Sequence, residues 1–168
     1  SDDLTCLQEV QVDKPTAKPG YLVVKVKAAS VNPIDYKVMG GYLKDAGWAM
    51  PLPFTMGYDV SGVVDEVGEG SDFAVGDEVF AVNWGKNKHD DDGQPVGGAF
   101  AEFICLPASK VSKKPANVTF EQAAALASGL ASSQAASSQD AMSRLAQIAN
   151  MAAAERGAAP AQLAAESR

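Results

Sequence analysis

Apolar and polar residues alternate along several short segments of the chain, which is the pattern of half-buried β-strands. Residues 21–30 (YLVVKVKAAS) alternate valine and alanine with lysine, and residues 57–68 (GYDVSGVVDEVG) form a valine-rich run between glycines. Residues 78–82 (EVFAV) and 97–106 (GGAFAEFICL) continue the pattern after glycine-containing segments. Short strands separated by glycine turns predict a closed or partly open antiparallel barrel and not a parallel sheet.

Two helical segments are predicted between and after these strands. Pro33 follows Asn32 as the first residue of a short helix, where proline is tolerated, and the glycine pair at 40–41 ends that helix. Thr119 and Gln122 have the spacing of a capping box, so a second helix is predicted to begin at Thr119. The predicted fold class is therefore mainly β with short helices (α+β).

The composition of the chain changes in its C-terminal quarter. Residues 128–168 carry three acidic and three basic residues, so the net charge of −7 comes from residues 1–127. This C-terminal segment is rich in alanine and serine and has no aromatic residue, and Asp140 is predicted to cap a helix over residues 141–156. We therefore divide the chain into a barrel domain (residues 1–127) and a linker-and-helix segment (residues 128–168).

Composition and charge exclude several classes of protein. With 46% hydrophobic and 21% charged residues, the chain has the balance of a globular protein and not of a disordered one. The net charge of −7 argues against binding to a nucleic-acid backbone as the main role. No apolar run approaches the roughly 18 residues that a transmembrane helix requires, and no signal-peptide pattern is present. Neither a membrane-spanning nor a secreted protein is expected.

A family resemblance is carried by four blocks that occur in one order, VKVKAASVNPIDYKVMGG, PFTMGYDVSGVVDEVG, FAVGDEVFAV and GGAFAEFICLPASKVSKKPANVTFEQAAAL. They resemble the N-terminal, GroES-like catalytic domain of the medium-chain dehydrogenase/reductase superfamily. Within it, they are most similar to zinc-independent quinone reductases and alkenal (enone) reductases. The resemblance covers residues 4–126. It implies a GroES-like partly open barrel, followed here by an Ala-rich helical tail, and NADPH as the cofactor of the family.

The resemblance also implies a site without zinc. Zinc-dependent relatives carry Gly-His-Glu where this chain has residues 57–59 (GYD), and a cysteine near the position of Asn32. A catalytic zinc ion needs three converging His, Cys or carboxylate ligands. His89 is the single histidine, and its surroundings, KNKHDDDG, are typical of a solvated loop. No metal site is therefore predicted.

Four residues are candidates for the cleft that the family uses. By resemblance, Asn32 and Asp35 of the NPID motif lie beside the nicotinamide and the substrate carbonyl, where an amide donor can polarise the carbonyl. The structural alternatives are a helix cap for Asn32 and a helix-start charge for Asp35. Tyr42 corresponds, one position early, to an aromatic lid of the family. Tyr58 is expected to line the floor of the cleft or to be a buried, hydrogen-bonded tyrosine.

The family continues into a nucleotide-binding domain whose signature is missing from this sequence. Gly68 and Gly70 are followed by Phe73 in place of a third small residue, and their turn leads into no predicted helix. A pyrophosphate needs such glycines at a helix N-terminus. No cofactor-binding residue is therefore predicted in this chain, and the chain alone is expected to have no turnover.

Two functions from different classes are compatible with these features. The first is a non-catalytic accessory subunit that contacts other chains of a larger assembly through residues 128–168. The alternative is the N-terminal part of an NADPH-dependent quinone or alkenal oxidoreductase whose cofactor domain is missing here or is supplied by another chain. The expected location is the interior of an organelle, a plastid or mitochondrion, because a chain that begins without Met fits a removed transit peptide.

Overall fold

The computed structural model describes residues 7–46, 52–83 and 98–132. In these ranges the chain forms five strands and two α-helices, namely β1 (Tyr21–Ser30), α1 (Pro33–Met39), β2 (Asp59–Val67), β3 (Glu78–Val82), β4 (Phe103–Pro107), β5 (Val111–Lys113) and α2 (Phe120–Ser132). Neither of these helices is long and apolar enough to cross a membrane.

The five strands form one antiparallel sheet in the order β4-β1-β2-β3-β5. Because β4 and β5 are its two edges, the sheet does not close on itself, which confirms the predicted partly open barrel and the α+β class. The pairing of β1 with β2 is irregular between Val26 and Ala28 and continues until Ser30 lies opposite Asp59. This register decides which polar residues meet at the end of β1.

The interior of the barrel is an apolar cluster to which all five strands contribute. The alternation of side chains along a strand explains its composition, since Val79 and Ala81 face this interior while Phe80 between them faces the opposite side. The buried members of the cluster are Leu22, Val24, Val60, Val64, Val79, Ala81, Ala99, Ile104, Leu106 and Val111.

The opposite side of the sheet is covered by α2, which packs against β1, β2 and β3. Phe80 and Val118 form a second buried apolar cluster with Ala123 and Ala127. The predicted capping box is present at the start of α2. The Thr119 N–H donates to Gln122 Oε1 at 3.0 Å, and the Gln122 N–H donates to Thr119 Oγ1 at 3.2 Å.

Some boundaries differ from the sequence prediction. The strand predicted over residues 97–106 is shorter, because residues 99–102 bend and the Phe100 N–H donates to Met56 O at 2.9 Å. The three-residue strand β5 was not predicted. Helix α2 continues past residue 127, so the change in composition falls inside a helix and not at its end. The division into two domains stays a prediction, and the helix predicted over residues 141–156 lies outside the described residues.

Candidate active site

The NPID motif lies where β1 ends and α1 begins. Asn32 is the N-cap residue of α1, with an extended backbone (φ −123°, ψ 160°), and Pro33 is the first helical residue, as predicted. The Asn32 N–H donates to Asp35 Oδ2 at 2.7 Å, and the Asp35 N–H donates to Asn32 O at 2.9 Å. These reciprocal bonds hold the first turn of α1, which has only seven residues and would not be stable alone.

The side-chain amide of Asn32 points into a group of polar residues. Its Nδ2 donates to Ser30 Oγ and to Asp59 Oδ2, both at 3.1 Å. The Ser30 hydroxyl donates to the same Asp59 oxygen at 3.1 Å. Because an ionised carboxylate only accepts hydrogen bonds, the amide nitrogen, and not the amide oxygen, must face Asp59.

Asp59 is the centre of a polar cluster that also contains Ser30, Asn32 and Ser128. The Asp59 side chain is fully buried. Its Oδ1 accepts the Ser128 hydroxyl at 2.6 Å, and its Oδ2 accepts the Ser128 N–H at 3.1 Å in addition to the bonds from Ser30 and Asn32. Four donors from β1, α1 and α2 therefore compensate for removing this carboxylate from water, which would otherwise be strongly unfavourable.

Tyr58 and Asp35 are both buried next to the polar cluster. Burial of the phenol, and secondarily the charge of Asp35, raises the pKa of Tyr58 to about 12. Tyr58 is therefore a neutral phenol at neutral pH and not a phenolate base. The preceding Gly57 has a φ of 94°, and a Cβ atom there would lie 2.6 Å from the Phe100 ring, so this backbone requires glycine.

Tyr42 lies beyond the C-terminal end of α1 and is 60% exposed. Its N–H donates to Lys37 O at 2.9 Å, and its ring lies against Gly40, where an added Cβ atom would be 2.7 Å from Tyr42 Cε2. Asn32 lies at the opposite end of this helix, which is about 10 Å long. The role of Tyr42 as an aromatic lid stays a prediction.

The structure thus brings three of the four predicted residues together. Asn32 and Asp35 share a helix turn, and Tyr58 interacts electrostatically with Asp35. Sequence reasoning missed Asp59 and Ser128. One signal for Asp59 was available, since a carboxylate at the start of a valine-rich strand is unusual unless its charge is compensated.

A cavity of about 690 Å³ lies elsewhere, between residues 7–15, 54–56 and 100–103. Its lining mixes phenylalanines with carboxylates and includes none of the four predicted site residues. We place the candidate site at the polar cluster instead, because convergent, oriented polar groups distinguish a reactive site better than volume does.

No three His, Cys, Asp or Glu side chains group as metal ligands within residues 7–46, 52–83 and 98–132. His89 lies outside these ranges. The turn at residues 68–70 precedes β3 and not a helix, so this turn lacks the helix N-terminus on which a dinucleotide pyrophosphate binds.

Comparison with known proteins agrees with the four sequence blocks. The alcohol dehydrogenase GroES-like domain matches residues 18–116. A chloroplastic NADPH-dependent alkenal/one oxidoreductase of Arabidopsis thaliana is 36% identical over 119 residues, which are 70% of this chain and 30% of that protein. The mitochondrial reticulon-4-interacting protein 1 of Caenorhabditis elegans is 39% identical over 123 residues, covering 65% of this chain and 31% of that protein.

A solved structure is similar in the same region. The quinone oxidoreductase from Coxiella burnetii superposes with a TM-score of 0.57 at 32% identity, covering 72% of this chain and 37% of that chain. The chain spans about 30% of the length of the curated relatives that it matches. The matched region runs from before β1 to beyond β5 and includes both the NPID motif and Asp59. The chain therefore belongs to the alcohol dehydrogenase GroES-like domain family of the medium-chain dehydrogenase/reductase superfamily.

Proposed function

We propose that this chain is the substrate-side part of an NADPH-dependent reductase of quinones or α,β-unsaturated carbonyl compounds. One observation carries the proposal. The Asn32 amide of the NPID motif donates to the buried carboxylate of Asp59, which lies opposite the end of β1. The relatives of this domain are named alkenal/one and quinone oxidoreductases. Quinones and α,β-unsaturated carbonyl compounds share a carbonyl group that is conjugated to the carbon that is reduced. This supports the reductase alternative over the accessory subunit.

The geometry of the Asn32 amide suits a hydrogen-bond donor to that carbonyl. Asn32 Nδ2, Ser30 Oγ and Asp59 Oδ2 lie 3.1 Å from one another, so the two acceptors subtend about 60° at the nitrogen. The two N–H bonds of a planar amide diverge by about 120°. At most one N–H bond therefore points straight at an acceptor, and in this proposal a substrate oxygen takes the other N–H in place of its bent hydrogen bond to Ser30.

The contribution of this chain is electrostatic stabilisation. As a conjugated carbonyl is reduced, negative charge develops on its oxygen, and a donor already fixed in place stabilises that charge without reorganisation. Asn32 is the donor in this proposal, and Tyr58, a neutral phenol at neutral pH, does not act as a base there. The family's cofactor, NADPH, supplies the hydride when bound, and we assign no described residue to holding it.

The experiment is an assay of NADPH oxidation with an alkenal, an alkenone and a quinone. It compares the 168-residue chain with the longest protein that its gene encodes or, where the gene encodes no more, with the complex that co-purifies with the chain. We expect no turnover by the chain alone and turnover by the longer protein or the complex. A longer protein or complex that binds NADPH but reduces none of the three substrates would contradict the proposal and favour the accessory role.

The accessory role and the organelle location stay predictions. Ser128, at the start of the segment predicted to contact partner chains, is bonded within this chain to Asp59. We propose an organelle location because the Arabidopsis relative is chloroplastic and the Caenorhabditis relative mitochondrial. Subcellular fractionation with an antibody against this chain tests the location, and recovery in the cytosolic fraction alone would contradict it.

A further inference from the structure

We infer that Asp59 is a positioning residue that fixes the orientation of the Asn32 amide, and through it the carbonyl-stabilising step. This inference rests on the proposed function, since Asn32 matters as a donor only if a carbonyl is reduced beside it. It assigns a role to a buried side chain that the sequence analysis did not select.

Asp59 determines which of the two ends of the Asn32 amide faces inward. An asparagine side chain can rotate by 180° and exchange its oxygen for its nitrogen with almost no change in shape. Of the two groups bonded to the Asn32 nitrogen, the Ser30 hydroxyl can donate or accept, so it does not decide the orientation. The Asp59 carboxylate only accepts, so it excludes the orientation in which the amide oxygen faces inward.

Asp59 is itself held in one orientation by Ser128 of α2. Both of its oxygens accept hydrogen bonds. Oδ1 accepts the Ser128 hydroxyl at 2.6 Å, and Oδ2 accepts the Ser128 N–H and the Asn32 amide, both at 3.1 Å. Bonds to both oxygens oppose rotation of the carboxylate. Since Ser128 belongs to α2, the helix that covers the sheet also holds the group that orients Asn32.

Two substitutions with the same number of side-chain heavy atoms as aspartate separate positioning from charge. In Asp59→Asn, the new carbonyl oxygen is expected to take the place of Oδ2, which faces only donors, while the new NH₂ group faces the Ser128 hydroxyl, which can accept. The contact with Asn32 is therefore kept although the charge is lost. In Asp59→Leu, no acceptor remains. If Asp59→Leu does not fold, Asp59→Ala, which leaves room for water, replaces it.

The first readout is the ¹⁵N-correlated side-chain amide spectrum of the 168-residue chain, with the Asn32 signals assigned by their loss in Asn32→Ala. We expect Asp59→Leu to move the Asn32 side-chain resonances toward those of the exposed Asn117, and Asp59→Asn to leave them close to the wild type. Ser61→Ala is the matched control. Ser61 is fully buried on the same face of β2 and donates to Phe120 O of α2 at 2.6 Å, so its loss should lower stability without moving the Asn32 resonances.

The second readout is the kinetics of the longer protein or complex described above. Asp59→Leu should lower kcat about as much as Asn32→Ala, roughly 100-fold, with little change in KM. Asp59→Asn should recover most of this loss. The double variant Asp59→Leu with Asn32→Ala should be no slower than Asn32→Ala alone, because the first residue acts through the second.

Three results would overturn the inference, namely Asn32 resonances that Asp59→Leu leaves in place, an Asp59→Asn variant as impaired as Asp59→Leu, or losses that multiply in the double variant. A wild-type protein without reductase activity would instead contradict the proposed function. The amide spectrum would still decide in that case whether Asp59 orients Asn32.

Discussion

The two faces of β2 are both buried but have opposite chemistry. Val60 and Val64 face the barrel interior among aliphatic side chains, whereas Asp59 and Ser61 face the helices and are hydrogen bonded to α2. Apolar packing has no directional requirement, whereas every buried polar atom needs a partner in a defined direction. The interior face therefore supplies stability, and the face toward α2 determines which residues of the helices meet the strand.

This difference indicates where selection for function acts. A buried charge with its partners is often no more stabilising than an apolar group of the same shape. Polar residues buried without a gain in stability are expected mainly at functional sites. Asp59 fits that expectation because it accepts a hydrogen bond from Asn32 of the NPID motif.

The largest effect is expected on the apolar face. Leu22 is fully buried in the interior cluster, so Leu22→Ala should lower the free energy of unfolding by about 3 kcal/mol. Leu52→Ala is the matched control, because Leu52 is 83% exposed and its loss should change stability by less than about 0.5 kcal/mol. Urea denaturation measures both, and equal losses would show that the interior cluster does not dominate stability.

The next largest effect is expected on the catalytic rate, from a substitution on the polar face. Asn32→Ala should lower kcat of the complete reductase about 100-fold, because one preorganised donor is removed. The exposed Asn117→Ala serves as the control and should keep the wild-type rate. A rate for Asn32→Ala within about threefold of the wild type would place the carbonyl-binding donor elsewhere.

A pH effect is expected from Tyr58. Its pKa is raised to about 12 in the folded chain from 10.0, so the unfolded state ionises first as the pH rises. The stability associated with the neutral phenol is complete below pH 10 and is lost between about pH 10 and 12, by about 3 kcal/mol. In denaturation curves, Tyr58→Phe should remove this part of the loss of stability at alkaline pH. Tyr36→Phe should show the same loss of stability as the wild type. An unchanged alkaline loss in Tyr58→Phe would contradict the prediction.

The smallest effect is expected at the start of α2. Thr119→Ala removes one half of the capping box and should lower the free energy of unfolding by about 1 kcal/mol. Gln122→Glu keeps an acceptor for the Thr119 N–H and should cost less. Thermal unfolding followed by circular dichroism measures both, and a larger loss for Gln122→Glu would show that the hydrogen bonds of the box are not what stabilises the helix.

Local sequence patterns predicted the elements, but not the contacts between distant ones. The alternation of residues 21–30 and the Thr119–Gln122 spacing gave β1 and the start of α2, because both depend on neighbours within a few residues. The three-residue β5 is too short to show a period. Asn32 and Asp35 were selected by family resemblance, and they lie close together because they share a helix turn.

The contacts of Asp59 depend on long-range geometry. Its approach to Asn32 depends on an irregular strand register, and its bonds to Ser128 join residues 69 positions apart. No pattern within a single segment contains that information. This is why the family resemblance identified the motif of the site, while the carboxylate that orients it became visible only in three dimensions.

The bonds of Ser128 limit how the domain can be shortened for recombinant work. A protein ending at residue 127, where the composition changes, would lose two of the four donors to Asp59 while the carboxylate remained buried. Ending it beyond Ser132 keeps α2 whole. Any affinity tag or fused partner attached there would be joined to the same helix that secures the Asn32 end of the barrel, so a flexible spacer is advisable.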